Sequence, residues 1–287
     1  MSAYNDFYID VKRTLSAMQP LMVLAGDKYY KKSVMKNGIS HFYRYKVSQK
    51  INKNVVVVPD GSIDILFSVN SENPKAVCYG SPLNLTDINY VPFVKENKEI
   101  FGVRFFPGST AFPAQKKMAD FTNKSVDLSS ILEKDDDLIK RINDCDDFNE
   151  EIRIFTTRYL EYYRKQVIKE KESNLYNFIL KEIINSNGNI KVDEISEKSG
   201  YSSRYINKLF NEYFGMSPKL FCKIVRFQNV LRAVTLNEKI IDIADSFGFC
   251  DQSHLGKEFK AFIGTSPKRL NEILKTEDYQ KRLCIVE

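Results

Sequence analysis

The feature that most constrains this chain is an internal repeat in its last third. Val192-Asp-Glu-Ile-Ser-Glu-Lys-Ser-Gly200-Tyr201 matches Ile240-Ile-Asp-Ile-Ala-Asp-Ser-Phe-Gly248-Phe249 at an offset of 48 residues, with small Ser196 falling on Ala244 and glycine on glycine. Past the glycine the offset grows to 49, and Leu209-Phe210, Phe214-Gly215 and Ser217-Pro218 meet Glu258-Phe259, Ile263-Gly264 and Ser266-Pro267. Of these matched pairs only Leu209/Glu258 is chemically unlike. Such self-similarity means one supersecondary unit used twice.

Each part of the unit has a physical reading. Val192, Ile195 and Ser196 stand at i, i+3 and i+4, one face of a short helix whose small residue admits a close neighbour. Gly200 and Gly248 sit where that helix ends and the chain turns, a place for left-handed backbone. Ser202 and Asp251 then cap a second helix. In the first copy Ile206, Leu209, Phe210 and Phe214 take one side of it, and Arg204, Asn207, Lys208 and Asn211 the other. Gly215 ends it, and Ser217-Pro218 restarts the chain as a capping serine with proline in the first turn. A long helix from Ser217 to about Thr235, striped by Leu220, Ile224, Phe227 and Leu231, would hold the two units at a fixed separation. Helix, tight turn, helix, stop, twice over, is the expected architecture.

On these residues the chain resembles the AraC/XylS family of bacterial regulators. The marks are Gly200-Tyr-Ser, Lys208-Leu-Phe210, Phe214-Gly-Met-Ser-Pro218, Ile241-Asp-Ile-Ala244, Phe247-Gly-Phe249, Asp251-Gln-Ser253, Phe259-Lys and Gly264-Thr-Ser-Pro267, within residues 174–275. The resemblance implies that the second helix of each unit enters the major groove of DNA with its amino-terminal turns at the base edges. It places base or phosphate contacts on Ser203, Arg204, Asn207 and Lys208 in the first unit, and on Gln252, Ser253, His254 and Lys257 in the second. Arginine can fork onto guanine, glutamine and asparagine onto adenine, and lysine attracts phosphate. His254 is bulkier than the residue usual there, and Gly256 weakens its helix by up to about 1 kcal/mol relative to alanine. Any solvated helix face carries such residues, so the paired motif, rather than the residues singly, supports the DNA reading. Charge does not single the region out: of the net +6, half lies from Asn174 onward.

Residues 1–125 read largely as strands. Val55-Val-Val-Val58 and Ile63-Asp-Ile-Leu-Phe67 flank Pro59-Asp60-Gly61, which predicts a hairpin with Asp60 and Gly61 serving the turn. Ile100 to Phe106 reads as another strand, closed by Pro107-Gly108. The Val58-Pro-Asp-Gly and Gly102-Val-Arg-Phe runs resemble an amino-terminal domain found fused to this regulator type, whose ligand is not generally known. Asp64 and Arg104 stand on strands opposite the main apolar row. They either face a pocket and bind an effector, or are solvated, or pair with one another. From about Val126 the pattern turns helical, with Leu128, Ile131 and Leu132, then Leu138, Ile139 and Ile142, then Ile152, Phe155, Tyr159 and Tyr162. That last face either pairs two chains or packs on its own β domain. The charge-dense run from Tyr163 to Ser173 reads as a helix end leading into a linker.

The expected fold is therefore α+β, in three parts: a β-rich sensor or dimerisation domain over 1–125, a helical connector and linker over 126–172, and an all-α DNA-binding domain of about seven helices with two helix-turn-helix units over 173–287. The implied partners are double-stranded DNA, RNA polymerase, a small-molecule effector and a second copy of the chain, with no membrane and no cofactor. Whether it activates or represses is left open. Five cysteines, odd in number and far apart with no Cys-x-x-Cys pair, suit neither a disulfide framework nor a zinc site, and they exclude the four-cysteine zinc domain of the methyl-accepting DNA repair regulators. Asp6 and Asp10 lie where a signal peptide would want only positive charge, so the expected location is the cytoplasm. Two histidines, no phosphate-cradling glycine loop and no nucleophile elbow speak against catalysis and a metal. The alternative reading is a ligand- or partner-binding protein whose helical half has lost DNA affinity.

Overall fold

The computed structural model describes residues 17–47, 56–87, 92–107, 118–167 and 174–287. The described residues hold nine strands, eight in the first part and the last near the chain's end: β1 (Gly26–Lys36), β2 (Ile39–Val47), β3 (Val56–Val57), β4 (Ile63–Ser68), β5 (Ala76–Gly80), β6 (Thr86–Asp87), β7 (Glu99–Phe105), β8 (Ser125–Asp127) and β9 (Leu283–Ile285). Seven of them form one sheet in the order β8-β5-β4-β7-β2-β1-β9, while β3 and β6 pair separately. Every neighbour in the large sheet is antiparallel except β9 on β1.

Both faces of the central strands are buried, which explains why β4 is buried at all six of its positions. One face carries Ile63, Ile65, Phe67, Phe101, Val103 and Phe105. Against it packs a helical connector, α2 (Leu138–Asn143) and α3 (Phe148–Val167), after the short helix α1 (Pro92–Glu96) earlier in the chain. The α3 face read from sequence lies here: Phe155 is 5.9 Å from both Phe42 and Phe67, ring centre to ring centre, and the Tyr159 hydroxyl donates to the Asn37 carbonyl at 2.8 Å. Phe155 and Tyr159 thus pack on their own domain, while Ile152 and Tyr162 are half-buried. The opposite face carries Tyr29, Tyr43, Tyr45, Leu66 and Ile100.

Two sequence expectations fail. The hairpin across Pro59-Asp60-Gly61 does not form: β3 pairs with β6, and β4 with β5 and β7. Residues 58–62 instead carry the chain from one sheet to the other, because Asp60 is drawn inward to accept from the Ser62 amide at 2.9 Å and to pair with Arg104. The helix expected from Val126 is instead the edge strand β8 followed by one turn of 310 helix, Leu128–Ser130, capped by Asp127. Gly108 and residues 168–173 of the expected linker, like Asp6, Asp10 and Val55, lie outside the described residues.

From Asn174 on the chain is helical: α4 (Asn174–Asn185), α5 (Val192–Ser199), α6 (Ser203–Phe214), α7 (Pro218–Thr235), α8 (Ile240–Ser246), α9 (Gln252–Ile263), α10 (Pro267–Leu274) and α11 (Glu277–Arg282). The short α11 adds to the seven expected, and it leads into β9. There Val286 donates its amide to the Lys31 carbonyl at 2.8 Å, Arg282 donates to the Gly26 carbonyl at 2.7 Å, and the Tyr279 hydroxyl donates to the Pro20 carbonyl at 2.9 Å. The end of the helical part thus covers the β1 edge, which would otherwise present unpaired backbone groups. No described helix is long and apolar enough to cross a membrane.

The cores run across the two parts. One cluster joins the sheet and α3 to Tyr176 of α4, Ile206, Phe210 and Phe214 of α6, and Phe221 of α7. Another joins Leu21 and Val58 to Phe227 and Leu231 of α7 and Leu255 and Phe259 of α9. Near α3 a buried carboxylate is held at a cost. Glu151 is 0% exposed and 3.2 Å from Arg44, neither of its oxygens finds a hydrogen-bond donor among the described residues, and Arg44 also serves Glu99. Burial therefore outweighs the arginine and lifts the Glu151 carboxyl to about 8. The folded state holds a proton that the unfolded chain releases from about pH 4.5, so this group's contribution to stability falls as pH rises from about 4.5 to about 8. Glu151→Gln should match the wild type near pH 4.5 in urea unfolding and become progressively more stable up to pH 8. A constant difference across that range would show that Glu151 is ionised when folded.

Candidate nucleic-acid interface

The two units repeat their local geometry closely. Gly200 and Gly248 turn the chain at φ +74° and +70°. The Ser202 hydroxyl accepts from the Tyr205 amide at 3.3 Å, and the Asp251 carboxylate accepts from the His254 amide at 2.7 Å, so each second helix starts on the cap its sequence offers. Ser217 and Ser266 each cap the next helix, with proline in its first turn.

Helices α6 and α9 face opposite ways at their two ends. Their carboxy-terminal caps rest on the β part: a Cβ on Gly215 would come within 2.9 Å of Ala119, and one on Gly264 within 3.1 Å of Leu85. Thr122 fastens the first by donating to the Phe214 carbonyl at 2.6 Å. The amino-terminal turns point outward. Arg204, Lys208, Gln252, Ser253, His254 and Lys257 are all exposed, and among the described residues Arg204 makes no ion pair or side-chain hydrogen bond.

The remaining expected contact residues are partly committed inside the unit. Ser203 is half-buried and donates to Asp193 of α5 at 2.7 Å, and the Asn207 amide donates to the Ser203 carbonyl at 2.8 Å. His254 lies edge-on to Phe249 at 5.3 Å, so its ring also packs. Gly256 meets no neighbour that a Cβ would touch, so no close approach requires glycine there. Sequence reasoning passed over two exposed rings, Tyr201 and Tyr205, which stack at 5.5 Å beside Arg204. Their spacing across the turn was the available signal.

The unlike pair in the repeat has a structural reason. Glu258, where the first unit has Leu209, receives a forked ion pair from Arg226 of α7 at 2.7–3.1 Å, and Arg226 lies over the Phe249 ring at 4.6 Å. The second unit is thereby tied to α7 by charge as well as by apolar packing.

Asp64 and Arg104, the expected effector residues, sit opposite each other on β4 and β7 and point into the sheet's tyrosine-lined face. Arg104 forks onto Asp64, with Nε to Oδ1 at 2.7 Å, and its Nη1 lies 3.2 Å from Asp60. All three are buried. Burial works against the charge on Arg104, and the two carboxylates outweigh it, raising its pKa well above the ordinary range. Asp60 is pushed up by burial despite Arg104. The adjoining cavity, lined by Tyr43, Tyr45, Leu66 and Tyr79 among others, measures about 20 Å³, room for about one water molecule. The buried Tyr45 hydroxyl on this face has no hydrogen-bond partner among the described residues.

Residues 195–272 match a family of helix-turn-helix domains, and residues 32–127 match a domain of unknown function, DUF6597. The probable transcription factor PqrA of Proteus vulgaris is 34% identical over 106 residues, which cover 34% of this chain and 84% of PqrA. The chain belongs to the AraC-type helix-turn-helix family of transcription regulators. The AraC-type module is also similar to the HTH-type transcriptional activator AarP of Providencia stuartii, 28% identical over 103 residues that cover 34% of this chain and 76% of AarP. Among solved structures, ToxT of Vibrio cholerae O395 aligns over 86% of this chain and 97% of its own at 14% identity, with a TM-score of 0.40. A probable AraC family transcriptional regulator of Rhodopseudomonas palustris aligns over 36% of this chain and 100% of its own at 25% identity, with a TM-score of 0.32.

Proposed function

We propose that this regulator reads an asymmetric duplex site with α6 and α9 in successive major grooves on one face of the DNA, roughly 34 Å apart. The observation that carries the reading is that both helices expose their amino-terminal turns while their carboxy-terminal caps rest on the β part. Arg204 and Gln252 read base edges, with Asn207, Ser203, Ser253 and His254 beside them. Lys208 and Lys257 meet phosphates, which set affinity more than sequence choice. RNA polymerase and a second copy of the chain are proposed partners, and the cytoplasm the proposed location. We assign the protein a regulatory role without catalysis.

The β part, in this proposal, senses an effector at Asp64 and Arg104. Since the cavity there holds about one water, a ligand must widen it and displace one partner of Arg104. Selecting binding sites from a random duplex pool with the full chain tests the DNA reading. The expected outcome is an asymmetric motif of about two helical turns, protected by one chain. Recovery of a single half-site of one turn would remove the second unit from the reading.

A further inference from the structure

The face of α7 that meets the β part carries an amide in an apolar stripe. Gln228 is 5% exposed, between Phe227 and Leu231. A buried amide left without partners costs about 1–3 kcal/mol, and here every partner among the described residues comes from the β part. The side-chain carbonyl of Gln228 accepts from the Met18 amide at 2.8 Å, and its NH2 donates to the Pro59 carbonyl at 3.1 Å and the Met18 carbonyl at 3.4 Å.

The residues that follow these two, Gln19 and Asp60, are joined to each other. Gln19 Nε2 donates to Asp60 Oδ2 at 2.9 Å and to the Val58 carbonyl at 2.7 Å, while Gln19 Oε1 accepts from the Val58 amide at 2.9 Å. Asp60 in turn meets Arg104 at 3.2 Å. A path of buried and half-buried groups therefore runs from Arg104 on β7 through Asp60 and Gln19, and through the adjoining Met18 and Pro59 backbone, to Gln228 on the helix that spaces the two reading helices. The Gly61 turn lies against the same helix: a Cβ there would lie 2.7 Å from the Phe221 ring, so the turn packs directly on α7 and cannot approach it further.

We infer that Gln228, Gln19 and Asp60 are positioning residues for DNA recognition, setting the seat of α7, and with it the spacing of α6 and α9, according to whether Arg104 holds Asp60. The inference rests on the reading of α6 and α9 as the DNA-reading helices. The path consists of discrete hydrogen bonds among buried and half-buried groups, joined through the Met18–Gln19 and Pro59–Asp60 peptides, so each bond is made or broken, and DNA that prefers one arrangement must feed back on the other end.

The test uses the full chain with its selected DNA site. In the wild type, DNA should change hydrogen exchange at the Val58 amide, buried in the β part, and Asp60→Asn should change specific-site affinity about 5- to 150-fold, the ordinary range of coupling between sites. In Gln228→Leu, DNA should leave Val58 exchange unchanged, and adding Asp60→Asn should have no further effect on affinity. If Asp60→Asn fails to fold, Gln19→Met breaks the same path and should show the same dependence on Gln228. Additive effects of the two substitutions on log affinity, or wild-type Val58 exchange indifferent to bound DNA, would overturn the inference while leaving the DNA reading intact. Loss of all site preference in the wild type would instead remove the reading beneath it. A purely structural role for Gln228 would lower stability without erasing the DNA-dependent change at Val58.

Discussion

Phe221→Ala should cost the full chain about 3–5 kcal/mol of stability, the range for removing a buried aromatic ring. Phe221 is 0% exposed and meets Phe210 at 5.4 Å and Phe214 at 4.9 Å, inside the cluster that also contains the sheet and α3. On its other side lies the Gly61 turn, so the cavity left by alanine opens on both parts at once. Because the cores are shared, the wild type should unfold in denaturant as one cooperative transition, and Phe221→Ala should lower its midpoint or split it in two. A loss below about 1 kcal/mol, well under the usual cost of such a truncation, would mean that the two parts are not packed as described.

Arg204→Ala should weaken binding to the selected site by about 1–3 kcal/mol, roughly 5- to 150-fold, with little effect on random duplex DNA. The side chain is exposed, has no ion pair among the described residues, and sits in the first turn of α6. Lys257→Ala should weaken specific and random binding together and reduce the salt dependence by about one phosphate contact. The contrast between the two variants separates base reading from phosphate attraction. Equal losses for Arg204→Ala on both DNAs would make Arg204 a phosphate contact and overturn its assignment.

What the sequence revealed and what it hid divide along the distance over which each feature is determined. Gly200, Ser202, Gly215 and Ser217, with their counterparts in the second unit, act on backbone within four residues, so their roles were legible in a window of the chain. The apolar stripe of α7 was legible too, from its spacing alone. Gln228 was not, because its partners at Met18 and Pro59 lie 210 and 169 residues away. The β9 strand is three residues long, too short for periodicity to register, and it exists by virtue of the β1 edge. The expected hairpin failed for a related reason. Pro59-Asp60-Gly61 has the composition of a tight turn, but Arg104 and Gln19 hold the aspartate inside, and the glycine serves a close approach to α7. The unlike Leu209/Glu258 pair had no reason legible in the sequence, because the partner of Glu258, Arg226, lies 32 residues away. Asp64 and Arg104 were located by alternation, whereas Asp60, their third partner, was assigned to the turn alone.

The central claim is that both exposed helix ends read DNA sequence. Its most direct measurement is the affinity of the full chain for a selected site and for random duplex DNA of the same length, titrated across salt. Both affinities should fall linearly in log salt, at roughly 0.9 per phosphate neutralised, and the selected site should bind about 10³-fold or more tighter throughout. A folded chain that binds both DNAs alike at every salt concentration, or neither at low salt, would contradict it.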